Sequence, residues 1–197
     1  MENEKHLRVL EAGKAVFMRY GFRRVTMQDI AAEAGISRPA LYLVYPNKEE
    51  VFKAAARQIG AESIGVIRAG LAHHASVKSQ LTLAFEIWSV QTFEMMLQSP
   101  DTRDVIECAL GFARETVRAI NTDFEALLVE ILRPLTTRDK HPVLPAAQIA
   151  HLLAASAHGY KEAASTVEQL RAMIAGLIAL TLAALQPHTA PKKLKKR

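Results

Sequence analysis

The sequence predicts an all-α protein of about nine helices, with a small three-helix N-terminal head on a larger C-terminal helical bundle. Three observations carry this. Apolar residues recur at helical spacing, with no sustained two-residue alternation and no Asn-Gly or Asp-Gly hairpin turn. N-cap residues and Gly or Pro stops divide the 197 residues into segments of helix length. Hydrophobic residues make up 50% of the chain, enough to build a buried core.

The first helix is expected from about Lys5 to Tyr20, with Leu7, Leu10, Phe17 and Tyr20 near one face and Gly21 as its left-handed stop. In "VTMQDI", Thr26 is a good N-cap and Asp29 completes a capping box, flanked by a Val25–Ile30 staple. Gly35 in "EAGIS" turns the chain. Ser37 then caps a third helix reaching Tyr45, with Ile36 and Leu41 as a second staple and Pro39 in the first turn. Leu41 and Val44 are the residues expected to face inward. Two short capped helices joined through a glycine turn are the sequence form of a helix-turn-helix. Pro46 stops the third helix. Asn47 caps a long fourth one through Val51, Phe52 and Ala55, expected to fray or bend near Gly60, Gly65 and Gly70.

Beyond His74 the helices become longer and more apolar, at about 77–98, 102–110, 112–135, 145–163 and 166–185, with loops at "SPDT" and "TTRDKHPVLP". The expected organisation is a helix-turn-helix domain over 1–46 and a helical body over 47–186, whose connecting helix occupies 47–74. A basic tail over 187–197 reads as disordered. Of the 25 basic residues five lie in the terminal "KKLKKR", so the other 20 match the 20 acidic ones. The body is neutral, and the net charge of +5 belongs to the tail. That tail reads either as a solvated extension or as a source of non-specific phosphate attraction.

A single cysteine, Cys108 in "VIECALGF", excludes an internal disulfide framework and reads as a buried thiol. The charged N-terminus lacks the apolar core of a signal peptide. The apolar run 172–185 is shorter than the roughly 20 residues that span a bilayer, so no membrane association is expected and the chain reads as cytoplasmic. His151, His158 and Glu162 could share a helix face, but surface or interface positions are the commoner use of such histidines, and neither metal nor cofactor is expected. No nucleophile elbow, P-loop, GxGxxG, HExxH or spaced carboxylate pair is present, so no catalytic residue is assigned and an all-helical enzyme is the weaker alternative.

The head reads as a DNA-binding element. The second helix of a helix-turn-helix lies in the major groove, and its N-terminal turn meets base edges. Arg38 sits in that turn, and arginine on guanine is the commonest specific contact. Pro39 and Ala40 are small enough to approach a thymine methyl, and Gln28 could reach an adenine or a phosphate. Tyr42 and Tyr45 carry hydroxyls suited to phosphate, although Tyr45 is equally well placed to complete the core. Thr26 and Lys48 stand at helix starts that favour an anion.

Residues 7–53, through "VLEAGKAVFMRYGF", "TMQDIAAEAGIS" and "ALYLVYPNKEEVF", resemble the N-terminal domain of the TetR (tetracycline-repressor-like) family. The resemblance implies a homodimeric, ligand-responsive regulator, usually a repressor, that binds a palindromic double-stranded operator and is released by a small-molecule effector. A regulator without an effector is the alternative. Family DNA contacts carry over onto Thr26, Gln28, Ser37, Arg38, Pro39, Ala40, Tyr42 and Lys48. The chain departs from the family at Pro39-Ala40, often Gly-Thr, and at Val44-Tyr45, often His or Tyr followed by Phe.

The body offers two expectations. The helix over 166–185 is apolar nearly all round, as a helix buried on both sides would be. His151, Ala155, His158, Met173, Leu177 and Leu180 are therefore expected at a two-fold dimer interface formed by the last two helices, as the resemblance also implies. "LTLAFEIWSVQTFEMML" is the expected pocket wall, through Phe85, Trp88, Thr92, Met95 and Met96, with Phe112 at the start of the helix over 112–135.

Overall fold

The computed structural model describes residues 2–98, 101, 104–105, 111–136 and 144–186. Among them every regular element is helical. Cys108, most of the predicted 102–110 helix and the basic tail lie outside the described residues.

The first helix, α1 (Glu2–Tyr20), buries Val9, Ala12, Val16 and Phe17, one stripe at helical spacing. Because these four set the contact face, Leu7 and Tyr20, grouped with Phe17 near one face in the sequence, fall at its edge and are 48% and 46% exposed. Helix α2 (Met27–Glu33) starts with the predicted capping box: Asp29 N–H donates to Thr26 Oγ1 at 3.3 Å, and Thr26 N–H donates to Asp29 Oδ2 at 2.8 Å. Both staple residues, Val25 and Ile30, are buried.

Helix α3 (Arg38–Tyr42) starts at its predicted cap, where Ser37 Oγ accepts from Ala40 N–H at 3.3 Å, but it ends three residues before Tyr45. The amides of Val44 and Tyr45 both turn back to the Leu41 carbonyl, at 2.9 and 3.0 Å. Pro46 supplies the reason, since the residue before a proline is disfavoured in helical conformation. Leu41 is fully buried, whereas Val44 is only half-buried and Tyr45 packs against the core.

Helix α4 (Lys48–Leu71), capped by Asn47 with Glu50 N–H at 2.8 Å, runs unbroken through Gly60 and Gly65, where fraying or bending was predicted. The two glycines differ. A Cβ at Gly60 would lie 2.7 Å from Ile120 Cγ2, so the missing side chain is what brings two helices together. A Cβ at Gly65 would meet nothing within 4 Å.

One rod then covers 77–98: α5 (Val77–Phe85), a π turn (Glu86–Val90) and α6 (Gln91–Gln98). Arg171 secures the π turn by donating through Nη2 to Glu86 Oε1 at 2.6 Å. Helices α7 (Arg114–Thr136), α8 (Ala146–Ala163) and α9 (Val167–Ala184) complete the body close to their predicted bounds. Helix α9 has the length and mean hydropathy (1.5) of a membrane span, but a minority of it is buried, through Leu170, Ile174 and Ile178.

Buried side chains form two clusters. The first joins α1–α3 to Val51 and Phe52 of α4. The second gathers Ile67 of α4 with Leu81, Phe85, Phe124, Leu153 and Leu170. Trp88 stacks on Phe124 with ring centroids 4.3 Å apart. Helix α4 is therefore a member of both cores.

The two glycines give a paired test by thermal melting. Gly65→Ala is expected to stabilise by about 0.5–1 kcal/mol, the usual gain from removing an exposed mid-helix glycine. Gly60→Ala is expected to lower the melting temperature instead, because the stiff Ile120 side chain must move.

Candidate nucleic-acid interface and ligand cavity

The connection between α2 and α3 depends on Gly35, whose φ of +64° lets the chain turn sharply. Leu41 anchors α3 from beneath at zero exposure, so the opposite face is open. Ser37, Arg38 and Pro39 are exposed there, with Ala40 half-buried beside them. The Arg38 guanidinium lies over the Tyr42 ring, 5.5 Å from its centroid, and Nη2 donates to the Tyr42 hydroxyl at 3.3 Å. Tyr42 is 43% exposed, and the two side chains form one polar ledge. Gln28 is exposed on the first turn of α2. Leu43, which the sequence reading left unassigned, is 86% exposed next to this ledge. A leucine at a short helix's end gives no sequence signal that distinguishes it from core.

Three further residues predicted at this surface have their side chains engaged within the protein. The Lys48 side chain turns inward, and Nζ donates to the carbonyls of Phe22 (2.9 Å), Val25 (2.9 Å) and Arg23 (3.3 Å). An ammonium has three donors, so none is left for phosphate. Tyr45 packs on the N-terminal core with His6 edge-on at 5.6 Å, and burial raises its hydroxyl above the ordinary tyrosine range. The Thr26 hydroxyl donates to Asp29 Oδ2 at 2.7 Å, and these Thr26 bonds hold the Asp29 carboxyl below its ordinary range.

The loop between α1 and α2 is tied to the body. Phe22 packs on Phe52 and Phe112 at centroid distances of 5.3 and 4.6 Å. Arg23 Nε pairs with Asp104 Oδ1 at 3.2 Å, and Arg24 pairs with Asp101.

A cavity of about 260 Å³ lies where α1 and α4 meet the 77–98 rod and α7. Phe17, Phe52, Ala55, Ala56, Ile59 and Gly60 form its apolar wall, with Trp88, Thr92, Ile120 and Asn121 opposite. A second cavity of about 440 Å³ lies between α7 and α8, lined by Trp88, Arg114, Arg118, Glu125, His151, Ala155 and His158 among others. Of the residues expected to form a pocket wall, Trp88 and Thr92 line the first cavity. The other four expected pocket residues line neither. Phe85 is fully buried in the core, edge-on to Phe124 at 5.5 Å. Met95 is 44% exposed and Met96 half-buried farther along the rod, because the π turn rotates the helix between Trp88 and α6. Phe112 instead caps the Phe22–Phe52 pair.

The α4 wall was missed, although its small residues Ala55, Ala56, Gly60 and Ser63 were a signal that space is left beside the helix. Of the expected interface residues, Ala155 and Leu180 are exposed, the latter at 74%, while Met173 and Leu177 are half-buried. His151 and His158 face the second cavity, with His151 Nδ1 2.9 Å from Glu125 Oε1. Among the described residues no three His, Cys, Asp or Glu side chains gather as metal ligands.

Comparison with known proteins bears on this arrangement. The profile of the bacterial regulatory proteins of the tetR family matches residues 9–55. The chain is 40% identical over 52 residues to YfiR, a helix-turn-helix-type transcriptional regulator of Bacillus subtilis. That match covers 26% of this chain and 25% of YfiR, so the chain spans about a quarter of the length of this relative. Over nearly the whole chain its fold is similar to that of Thermus thermophilus FadR, a TetR-family transcriptional repressor solved in complex with lauroyl-CoA (TM-score 0.66, 22% identity, 94% of this chain and 97% of that one). It is similar also to the fatty acid degradation regulator FadR of Bacillus halodurans (TM-score 0.67, 16% identity, 90% and 94%). Residues 9–55 thus match the tetR-family profile, and along nearly its whole length the chain shares the fold of TetR-family structures.

Proposed function

We propose that the protein is a cytoplasmic, dimeric transcriptional regulator, a repressor that holds a palindromic operator and is released when a small-molecule effector enters its body. Residues 1–46 read DNA, residues 47–186 form the effector and dimerisation domain, and no catalysis is assigned to either. The observation that carries the reading is the open N-terminal turn of α3. Ser37, Arg38 and Pro39 are exposed over a buried Leu41, so the turn projects toward a major groove while its underside is fixed.

A single head contacts too few base pairs to be specific, and two heads on a palindrome double them. The outer face of α8 and α9 supports a second copy as the partner. Leu152 and Leu180 are 53% and 74% exposed there, and Ala172, Ala175, Gly176 and Ala179 leave a smooth surface for close approach. The first cavity supports the effector. Its wall includes Phe17 and Phe52 of the N-terminal core, so a molecule inside bears directly on the elements that hold α3. A ligand shifts head spacing only by binding one spacing more tightly than the other.

Operator sequences are selected from a randomised duplex pool, and binding is measured by fluorescence anisotropy. Arg38→Ala is expected to lose about 1–3 kcal/mol of specific binding and to relax preference at one base pair, with non-specific binding little changed. An unchanged selected sequence and affinity would remove Arg38 from base readout. Lys48→Met separates its two roles. It is expected to lower thermal stability while leaving the salt dependence of DNA binding unchanged, whereas a slope reduced by about one would return this lysine to a phosphate.

A further inference from the structure

The two cavities meet at Lys161, in the last turn of α8, which lines both together with Trp88 and Asn121. The other lysine of the apolar cavity, Lys14, is held by Glu11 at 2.6 Å and Glu62 at 3.3 Å. Among the described residues, by contrast, the Lys161 amine has no hydrogen-bond or ion-pair partner. Its withdrawal from water lowers its proton affinity below the ordinary lysine range, against the opposing field of Glu162. A cation in that setting is costly until an anion joins it.

The surroundings define that anion. On one side of Lys161 lies the apolar chamber of Phe17, Phe52, Ile59 and Trp88. On the other, Arg114 and Arg118 outnumber Glu125, whose carboxylate is taken up by His151 at 2.9 Å. A molecule spanning the junction therefore meets hydrocarbon at one end and positive charge at the other. We infer that the effector is an aliphatic anion, with its chain in the apolar chamber and its carboxylate or phosphate head on Lys161 at the mouth of the basic one. This rests on the reading of the body as an effector domain and names the chemistry of that effector.

Trp88 is the chain's one tryptophan and lines both chambers, so its fluorescence reports occupancy directly. The full-length protein is titrated with decanoate, decyl phosphate, decanol and decyltrimethylammonium, as wild type, Lys161→Met and Lys161→Arg. At least one anion is expected to bind the wild type about tenfold or more tightly than decanol, the scale of one hydrogen bond to a charged group. Which anion leads tells whether a carboxylate or a phosphate is read. Lys161→Met is expected to remove the advantage while leaving decanol affinity unchanged, and Lys161→Arg to keep it. Equal binding of decanol and both anions to the wild type, or tightest binding of the ammonium, would overturn the anion assignment while leaving the cavity as an effector chamber. A Trp88 signal that none of the four ligands moves would overturn the chamber reading as well. The wild-type comparison and the arginine variant decide the matter even if the methionine variant folds poorly.

Discussion

Everything in this molecule hangs on α4 being shared between two cores. Its first two turns place Val51 and Phe52 in the N-terminal cluster, and Ile67, four turns farther on, lies in the body cluster. Removing either set of contacts would expose large apolar side chains, each contributing roughly 1.5–3 kcal/mol when buried. A helix fixed at both ends in this way transmits displacement instead of absorbing it, because packed interiors resist compression. Lys48 reinforces the N-terminal end. By collecting the carbonyls of Phe22, Arg23 and Val25, it satisfies backbone acceptors in the α1–α2 loop that no helix partner reaches.

That constraint links the proposed sites. The apolar cavity lies against the middle of α4, at Ala55, Ala56, Ile59 and Gly60, between the two anchoring ends. The same cavity touches Phe17 and Phe52, while the Phe22–Phe52–Phe112 cluster and the pairing of Arg23 with Asp104 join the α1–α2 loop to the body. In the proposed mechanism an effector and an operator compete for the position of one rod. An exposed ion pair such as Arg23–Asp104 adds little stability of its own. Its use is to fix which way the loop goes when the rod moves.

How much of this was legible in the sequence follows the range of the interactions. Thr26, Ser37 and Asn47 cap helices where predicted, because a cap is decided by a side chain and an amide three residues away. The Gly35 turn and the exposure of Arg38 and Tyr42 were legible for the same reason. The end of α3 was misjudged by three residues even though its cause, Pro46, is local. What the sequence hid was made by distant residues. Nothing near Lys48 announces the carbonyls of residues 22–25, and nothing near Phe112 announces Phe22. The cavity wall on α4 and Lys161 on α8 are brought together only by packing. A stripe of Phe85, Trp88, Thr92 and Met95 read at regular spacing could not anticipate a π turn that redirects its second half.

Amide hydrogen exchange along α4 tests the shared rod most directly. If both cores hold it, amides from Phe52 to Ile67 are protected to one common level, with no step at Gly60 or Gly65. A split, with the N-terminal half of α4 exchanging much faster than the half beyond Gly65, would mean that head and body open independently, and the coupling argued for here would have no structural basis.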